Sequence, residues 1–96
     1  MDHLSDAEEA RGYLEVAIEH YEDDGDKEAF LLALRDVVEA QGGFGVLARR
    51  TGLDRRHLYR ALSEEGNPYL DTIGKILHGL GFRLSVAHLD PPKEAA

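Results

Sequence analysis

Arg55, Arg56, His57, Tyr59 and Arg60 crowd into a six-residue run whose one aliphatic member is Leu58. Guanidinium and imidazole groups donate hydrogen bonds, and arginine is always charged. Such a run suits a polyanion that also offers directional acceptors. DNA base edges do so, and a guanidinium bidentate to guanine O6 and N7 discriminates by about 1–3 kcal/mol. Arg55 and Arg56 would stand at a helix start, the end that usually meets base edges. Arg60 lies a turn later and can read a base or hold a phosphate. Tyr59 can pack on a thymine methyl, bond a phosphate, or belong to the rim of the core, because a phenol is amphipathic. His57 either touches DNA or faces water. Upstream, Arg49 and Arg50 suit backbone phosphates, the alternative being plain surface charge. Thr51 and Asn67 can donate to phosphate, contacts that fix register without reading sequence. Asn67 is equally suited to a turn.

These side chains need a scaffold, and the run from Phe44 to Ser63, FGVLARRTGLDRRHLYRALS, reads as helix, tight turn, helix. Ala48 is small where two helices must cross closely. Gly52 reaches the positive φ of a helix C-cap at little steric cost. Asp54 is placed to cap the second helix. Leu47, Leu53, Leu58 and Leu62 are spaced to seal the pair onto a core. Together these features describe a helix-turn-helix, whose second helix enters the DNA major groove.

Helical spacing continues on both sides. Ser5, with Glu8 three residues later, predicts a capping box. Tyr13, Leu14, Ala17, Ile18 and Tyr21 then recur at helical spacing. Gly25 stops that helix and Asp26 caps the next, from about Lys27 to Gln41, with Phe30, Leu31, Leu34, Val37 and Val38 on its apolar face. Gly42-Gly43 break it. The arginine-rich helix is expected to stop near Gly66, where Asn67-Pro68 forces a turn. A fifth helix begins near Leu70, with Asp71 in its first turn, where negative charge suits the helix dipole. Leu70, Ile73, Ile76, Leu77 and Leu80 form its expected buried stripe, and Gly79 and Gly81 weaken and end it. Phe82 to His88 alternates apolar and polar residues, as a half-buried strand does. A lone strand must find its ladder in a second copy, another protein or another segment. The expected fold is all-α, with five helices and a short C-terminal β-strand. Its divisions are an acidic helix at 1–26, a helix-turn-helix DNA-binding domain at 27–81, the strand at 82–89 and a disordered tail at 90–96.

Bulk properties agree with one small domain. A chain of 96 residues buries only about 60–65 % of its unfolded surface, so a partner subunit would help it. The net charge of −8 is unevenly spread. Residues 1–41 hold three Lys/Arg against thirteen Asp/Glu, whereas 42–88 hold seven against four. The basic part is free to hold phosphate, and the acidic part suits a second, basic partner. Zero cysteines exclude disulfides and thiolate chemistry. MDHLSDAEEARG shows no signal peptide, and no apolar run approaches a membrane span, so a cytoplasmic location is expected. His3, His20, His57, His78 and His88 form no HxxxH or HExxH pair, so neither a metal nor another cofactor is expected. No phosphate loop or nucleophile elbow is present, and Glu64-Glu65 and Asp23-Asp24 read as solvated charge, so no catalysis is expected.

The stretch from Arg35 to Val86, RDVVEAQGGFGVLARRTGLDRRHLYRALSEEGNPYLDTIGKILHGLGFRLSV, resembles the addiction module antidote family, HigA-like antitoxins with an Xre/Cro-type helix-turn-helix. The resemblance is strongest over Thr51 to Val86 and most specific in LYRALSEEGNP. It extends upstream to GYLEVAIEHYEDDGDKEAFLLALRDVVEAQG and so covers about nine-tenths of the chain. It implies a dimeric antitoxin of a type II toxin–antitoxin pair. Such a protein represses its own operon by binding its double-stranded DNA operator, and it neutralises a small basic RelE/HigB-like toxin that cleaves mRNA. The resemblance carries the DNA-reading role onto Arg55, Arg56, Tyr59 and Arg60. Two alternatives stand beside it: an Xre-family regulator without a toxin, and a pure protein-interaction module.

Overall fold

The computed structural model describes residues 3–89; the tail expected to be disordered, 90–96, lies outside them. A 3-10 turn at His3–Ser5 leads into five helices: α1 (Ala7–Asp24), α2 (Lys27–Ala40), α3 (Phe44–Thr51), α4 (Arg55–Ala61) and α5 (Leu70–Leu80). The described residues contain no strand.

Local chemistry sets most boundaries. Asp26 Oδ1 accepts from the Ala29 amide at 3.1 Å and starts α2, as the sequence predicts. Asp54 does the same for α4, accepting from His57 N at 3.2 Å. Gly52, with φ 77°, closes α3 by donating its N–H to Ala48 O at 2.9 Å. At the start of α1 the expected Ser5–Glu8 capping box gives way to Asp6, whose carboxylate accepts from Glu8 N at 2.9 Å. Ser5 and Asp6 both carry capping side chains, and Ser5 is instead taken up by the 3-10 turn. The arginine-rich helix ends at Ala61, earlier than Gly66. The chain then turns tightly, Gly66 N donates to Ser63 O at 2.9 Å, and a Cβ on Gly66 would meet Ala61 O at 2.2 Å. Only glycine fits that return.

One core runs through all five helices. Leu31, Leu34, Val37 and Val38 of α2 lie at its centre, with Ala10 and Leu14 from α1, Phe44 and Leu47 from α3, Leu58 from α4, Leu62 just beyond it, and Ile76, Leu77 and Leu80 from α5. Ala48 and Leu53 are partly buried against it. Leu70 departs from the expected stripe, being 71 % exposed. It occupies the first turn of α5, which extends past the core.

The helices are not packed equally. α1 lies on α2, and α3 lies against both α4 and α5. The approach of α5 to α3 depends on Gly79, where a Cβ would come within 2.7 Å of Leu47 Cδ1 and 2.8 Å of Thr51 Cγ2. Residues 82–89, expected as a strand, have no regular structure. A β-ladder needs a second strand, and the described residues supply none.

Candidate nucleic-acid interface

α4 is short, and its polarity is sharply divided. Leu58 points into the core with no exposed surface, while Arg55, Arg56, His57, Tyr59 and Arg60 are all exposed. The Gly52–Asp54 connection ends α3 and starts α4 within three residues, which fixes the rotation of α4 against the core. Burial of Leu58 and Leu62 holds that rotation, so the basic residues are left outside.

Two shallow hollows meet on this face. One is lined by Asp54, Arg55, Arg56, Tyr59 and Arg60. The other brings Arg49 of α3 beside Arg55 and Tyr59, with Gly42, Gly43 and Gly45 in its wall. Tyr59 belongs to both. Its ring stands 5.3 Å from that of Phe44 at 59°, a tilted aromatic contact that orients it. It remains 58 % exposed, so the phenol packs on the core and faces outward at once.

The charge state of this face is its clearest property. The ion pairs among the described residues join Arg11 to Glu8 and Glu15, and Lys75 to Asp71. Arg49, Arg55, Arg56 and Arg60 form neither an ion pair nor a side-chain hydrogen bond. Four guanidiniums therefore keep their donors for an outside acceptor.

The remaining residues singled out in the sequence sit elsewhere. Arg50 Nη1 donates to Gln41 Oε1 at 3.0 Å and to Gly79 O at 3.1 Å. Gln41 Nε2 in turn donates to Leu80 O at 3.0 Å. Arg50 thus ties the end of α2 and the end of α5 to α3. Thr51 Oγ1 donates to Leu47 O at 2.9 Å and accepts from Leu53 N at 3.1 Å, bracing the turn. Arg50 and Thr51 line a separate hollow with Lys75, His78 and Gly79. Asn67 Oδ1 accepts from Lys27 Nζ at 3.4 Å, tying the loop before α5 to the start of α2. Sequence reasoning missed the Gly79 contact and the Gln41 link, because both depend on helices far apart in the chain.

Among the described residues, no group of three or more His, Cys, Asp or Glu side chains converges as a metal site would. No helix among them is long and apolar enough to cross a membrane.

Fold and site together define a small all-helical protein with an acidic half and an unpaired basic face. Residues 1–88 match the family model described as "Probable addiction module antidote protein", and the chain belongs to that family of antidotes, the antitoxins of addiction modules. An antidote of this kind implies a toxin as partner. A Haemophilus influenzae protein carrying the name "Uncharacterized protein" is 33 % identical over 85 residues, which span 88 % of this chain and 82 % of that one. No solved structure matches.

Proposed function

We propose that α3, the Gly52–Asp54 turn and α4 act as an Xre/Cro-type helix-turn-helix. On this reading the protein represses its own operon by sequence-specific DNA binding and neutralises a basic RelE/HigB-like mRNA-cleaving toxin. The observation that carries the DNA reading is the set of four unpaired guanidiniums, Arg49, Arg55, Arg56 and Arg60, around one exposed helix face. Asp54 and Glu39 line the same hollows without pairing with these arginines, so the four like charges outnumber the acids beside them, and an external polyanion relieves their repulsion. Arg55, Arg56 and Arg60, with Tyr59 and His57, meet base edges from α4. Arg49 holds a phosphate from α3. Arg50 and Thr51 act chiefly by holding α3 in place, and Asn67 by shaping the loop, so their contribution to DNA binding is indirect.

The protein works as a cytoplasmic homodimer, with two α4 helices addressing half-sites about 34 Å apart, or a multiple of that, on a near-palindrome. Residues 27–81 form the DNA-binding body, and residues 1–26 form an acidic helix that faces the toxin. The antidote family favours this reading over a free-standing regulator, which would have no toxin.

Two experiments decide it. Gel shifts on the region upstream of the gene are expected to show a specific complex, weakened when Arg56 is replaced by alanine. Co-expression with the neighbouring gene product is expected to rescue growth, and charge reversal at the exposed acids Glu19 and Glu22 of α1, which leaves Ala10 and Leu14 in the core, is expected to weaken the rescue. Absence of a complex at low salt refutes the first half. Growth arrest despite co-expression of the intact chain refutes the second.

A further inference from the structure

We propose that residues 82–89 join two copies of this chain as an antiparallel two-stranded ladder centred on Ser85, which also covers Tyr69 and Leu70 at the start of α5. The assignment deepens the dimeric reading above and rests on it.

Three observations carry it. The first is a concentration of exposed apolar surface. Val86 is 97 % exposed, Leu89 86 %, Tyr69 82 %, Leu70 71 % and Leu84 48 %. Scattered apolar residues on a surface need no explanation, but a contiguous patch marks an interface. The chain doubles back after α5, which brings the start of this segment onto that helix. Phe82 N donates to Leu77 O at 2.8 Å, and Leu84 Cδ1 lies 3.5 Å from where a Cβ on Gly74 would stand. The segment therefore returns along α5 as far as Gly74, in the direction of Leu70 and Tyr69.

The second observation is an open backbone. Among the described residues, no backbone hydrogen bond reaches 83–89. A row of free N–H and C=O groups with alternating side chains is a template for strand pairing.

The third is self-complementarity. Around a two-fold axis at Ser85, Leu84 falls opposite Val86 of the second copy, and Arg83 opposite Ala87. Opposed residues then share a face, as an antiparallel ladder requires, so Phe82, Leu84 and Val86 of both copies stay together, while Leu89 falls on the other face with Arg83, Ser85 and Ala87. The two Arg83 side chains are kept apart, which avoids a like-charge pair. Val86, which has almost no contact with its own body, gains Leu84 of the second copy.

Charge selects this occupant over the toxin. Residues 67–89 hold Asp71 against Lys75 and Arg83, so a basic protein finds no attraction there. Its complement is the acidic stretch 1–41.

The chain has no cysteine of its own, so Ser85→Cys introduces a single thiol. Residues on a two-fold axis of an antiparallel ladder have Cα atoms about 4.5–5.5 Å apart, within disulfide reach. Under mild oxidation S85C is expected to give a covalent dimer on a non-reducing gel, whereas Glu22→Cys, exposed near the end of α1, gives none. Val86→Asp leaves the core untouched and is expected to halve the mass seen by light scattering, with the helical circular dichroism unchanged. A wild-type chain that is itself monomeric would overturn the dimeric reading as a whole. A dimeric wild type with V86D still dimeric and S85C uncrosslinked would overturn only the assignment to 82–89. Loss of toxin co-purification from a V86D protein that remains dimeric would give the segment to the toxin and also overturn it.

Discussion

The acidic and basic halves of this molecule treat arginine in opposite ways. On α1, Arg11 lies 3.3 Å from Glu8 and 3.0 Å from Glu15, and the carboxylates, Glu8 foremost, push its pKa further up. Residues at i,i+3 and i,i+4 are neighbours on a helix surface, so acids at those spacings can pair with it. On α4 the one acid at such a spacing, Glu64 four residues after Arg60, lies in the turn beyond the helix end at Ala61, and Arg55, Arg56 and Arg60 stay unpaired. Arrangement therefore outweighs composition: a net charge of −8 coexists with a basic face because the acids are concentrated in other helices. Under the proposed function, two surfaces of opposite sign would let one small chain serve a nucleic acid and a basic protein without competition for a single site.

The contrast can be challenged by substitution. The largest effect is expected at Leu58, the fully buried anchor of α4. Leu58→Ala is expected to lower unfolding stability by about 2–5 kcal/mol, measured by urea denaturation. Leu32→Ala, at a half-exposed position on the acidic side, is expected to stay within about 0.5 kcal/mol. Next comes Arg55→Ala, expected to weaken operator binding by about 1–3 kcal/mol and relax base preference at one position. Arg11→Ala is expected to leave DNA binding unchanged, and equal losses from the two would erase the distinction between the halves. Asp54→Ala removes the cap of α4 and is expected to cost about 1 kcal/mol of stability, read as a lower melting temperature.

The smallest effect is expected at Tyr13, whose hydroxyl donates to Asp36 and joins α1 to α2. Because the side chain is partly exposed, Tyr13→Phe is expected to cost less than about 1 kcal/mol. The bond to Asp36, helped by partial burial and the nearby negative charge, pushes the phenol pKa up from 10.0 to about 12. A raised folded-state pKa means that the stabilisation is complete below pH 10 and is lost as the pH climbs from 10 to 12. Wild type and Tyr13→Phe are thus expected to converge in stability across that range, as followed by denaturation at fixed pH values.

Much of the helical frame was legible because its boundaries are local. Gly25 and Gly52 end a helix through their backbone N–H, and Asp26 and Asp54 start one through their carboxylates, each bonding to a residue within four positions. The exposed set on α4 followed from Leu58 and Leu62 as the apolar positions. Legibility failed where distant helices meet. Gly79 reads in sequence as a weak point of a helix, yet its missing Cβ lets α5 approach α3. Arg50 reads as one more basic residue, yet it holds Gln41 and the Gly79 carbonyl. At the start of α1 two neighbouring cap residues competed, and only backbone geometry distinguishes Asp6 from Ser5. The alternation of Phe82 to His88 predicts a strand that the described residues do not form, because a ladder needs a second strand and they supply none.

The central claim is that the arginine face around α4 grips duplex DNA. It is tested most directly by titrating the intact protein into a labelled duplex from upstream of its own gene at a series of salt concentrations. The account predicts that log K falls linearly with log salt, by about 0.9 per phosphate contact. Arg49→Ala is expected to flatten that slope by about one contact, and the double variant Arg55→Ala/Arg56→Ala to reduce binding to that seen with unrelated DNA. A wild-type protein indifferent to the duplex at low salt, or a double variant that binds as tightly as wild type, would contradict it.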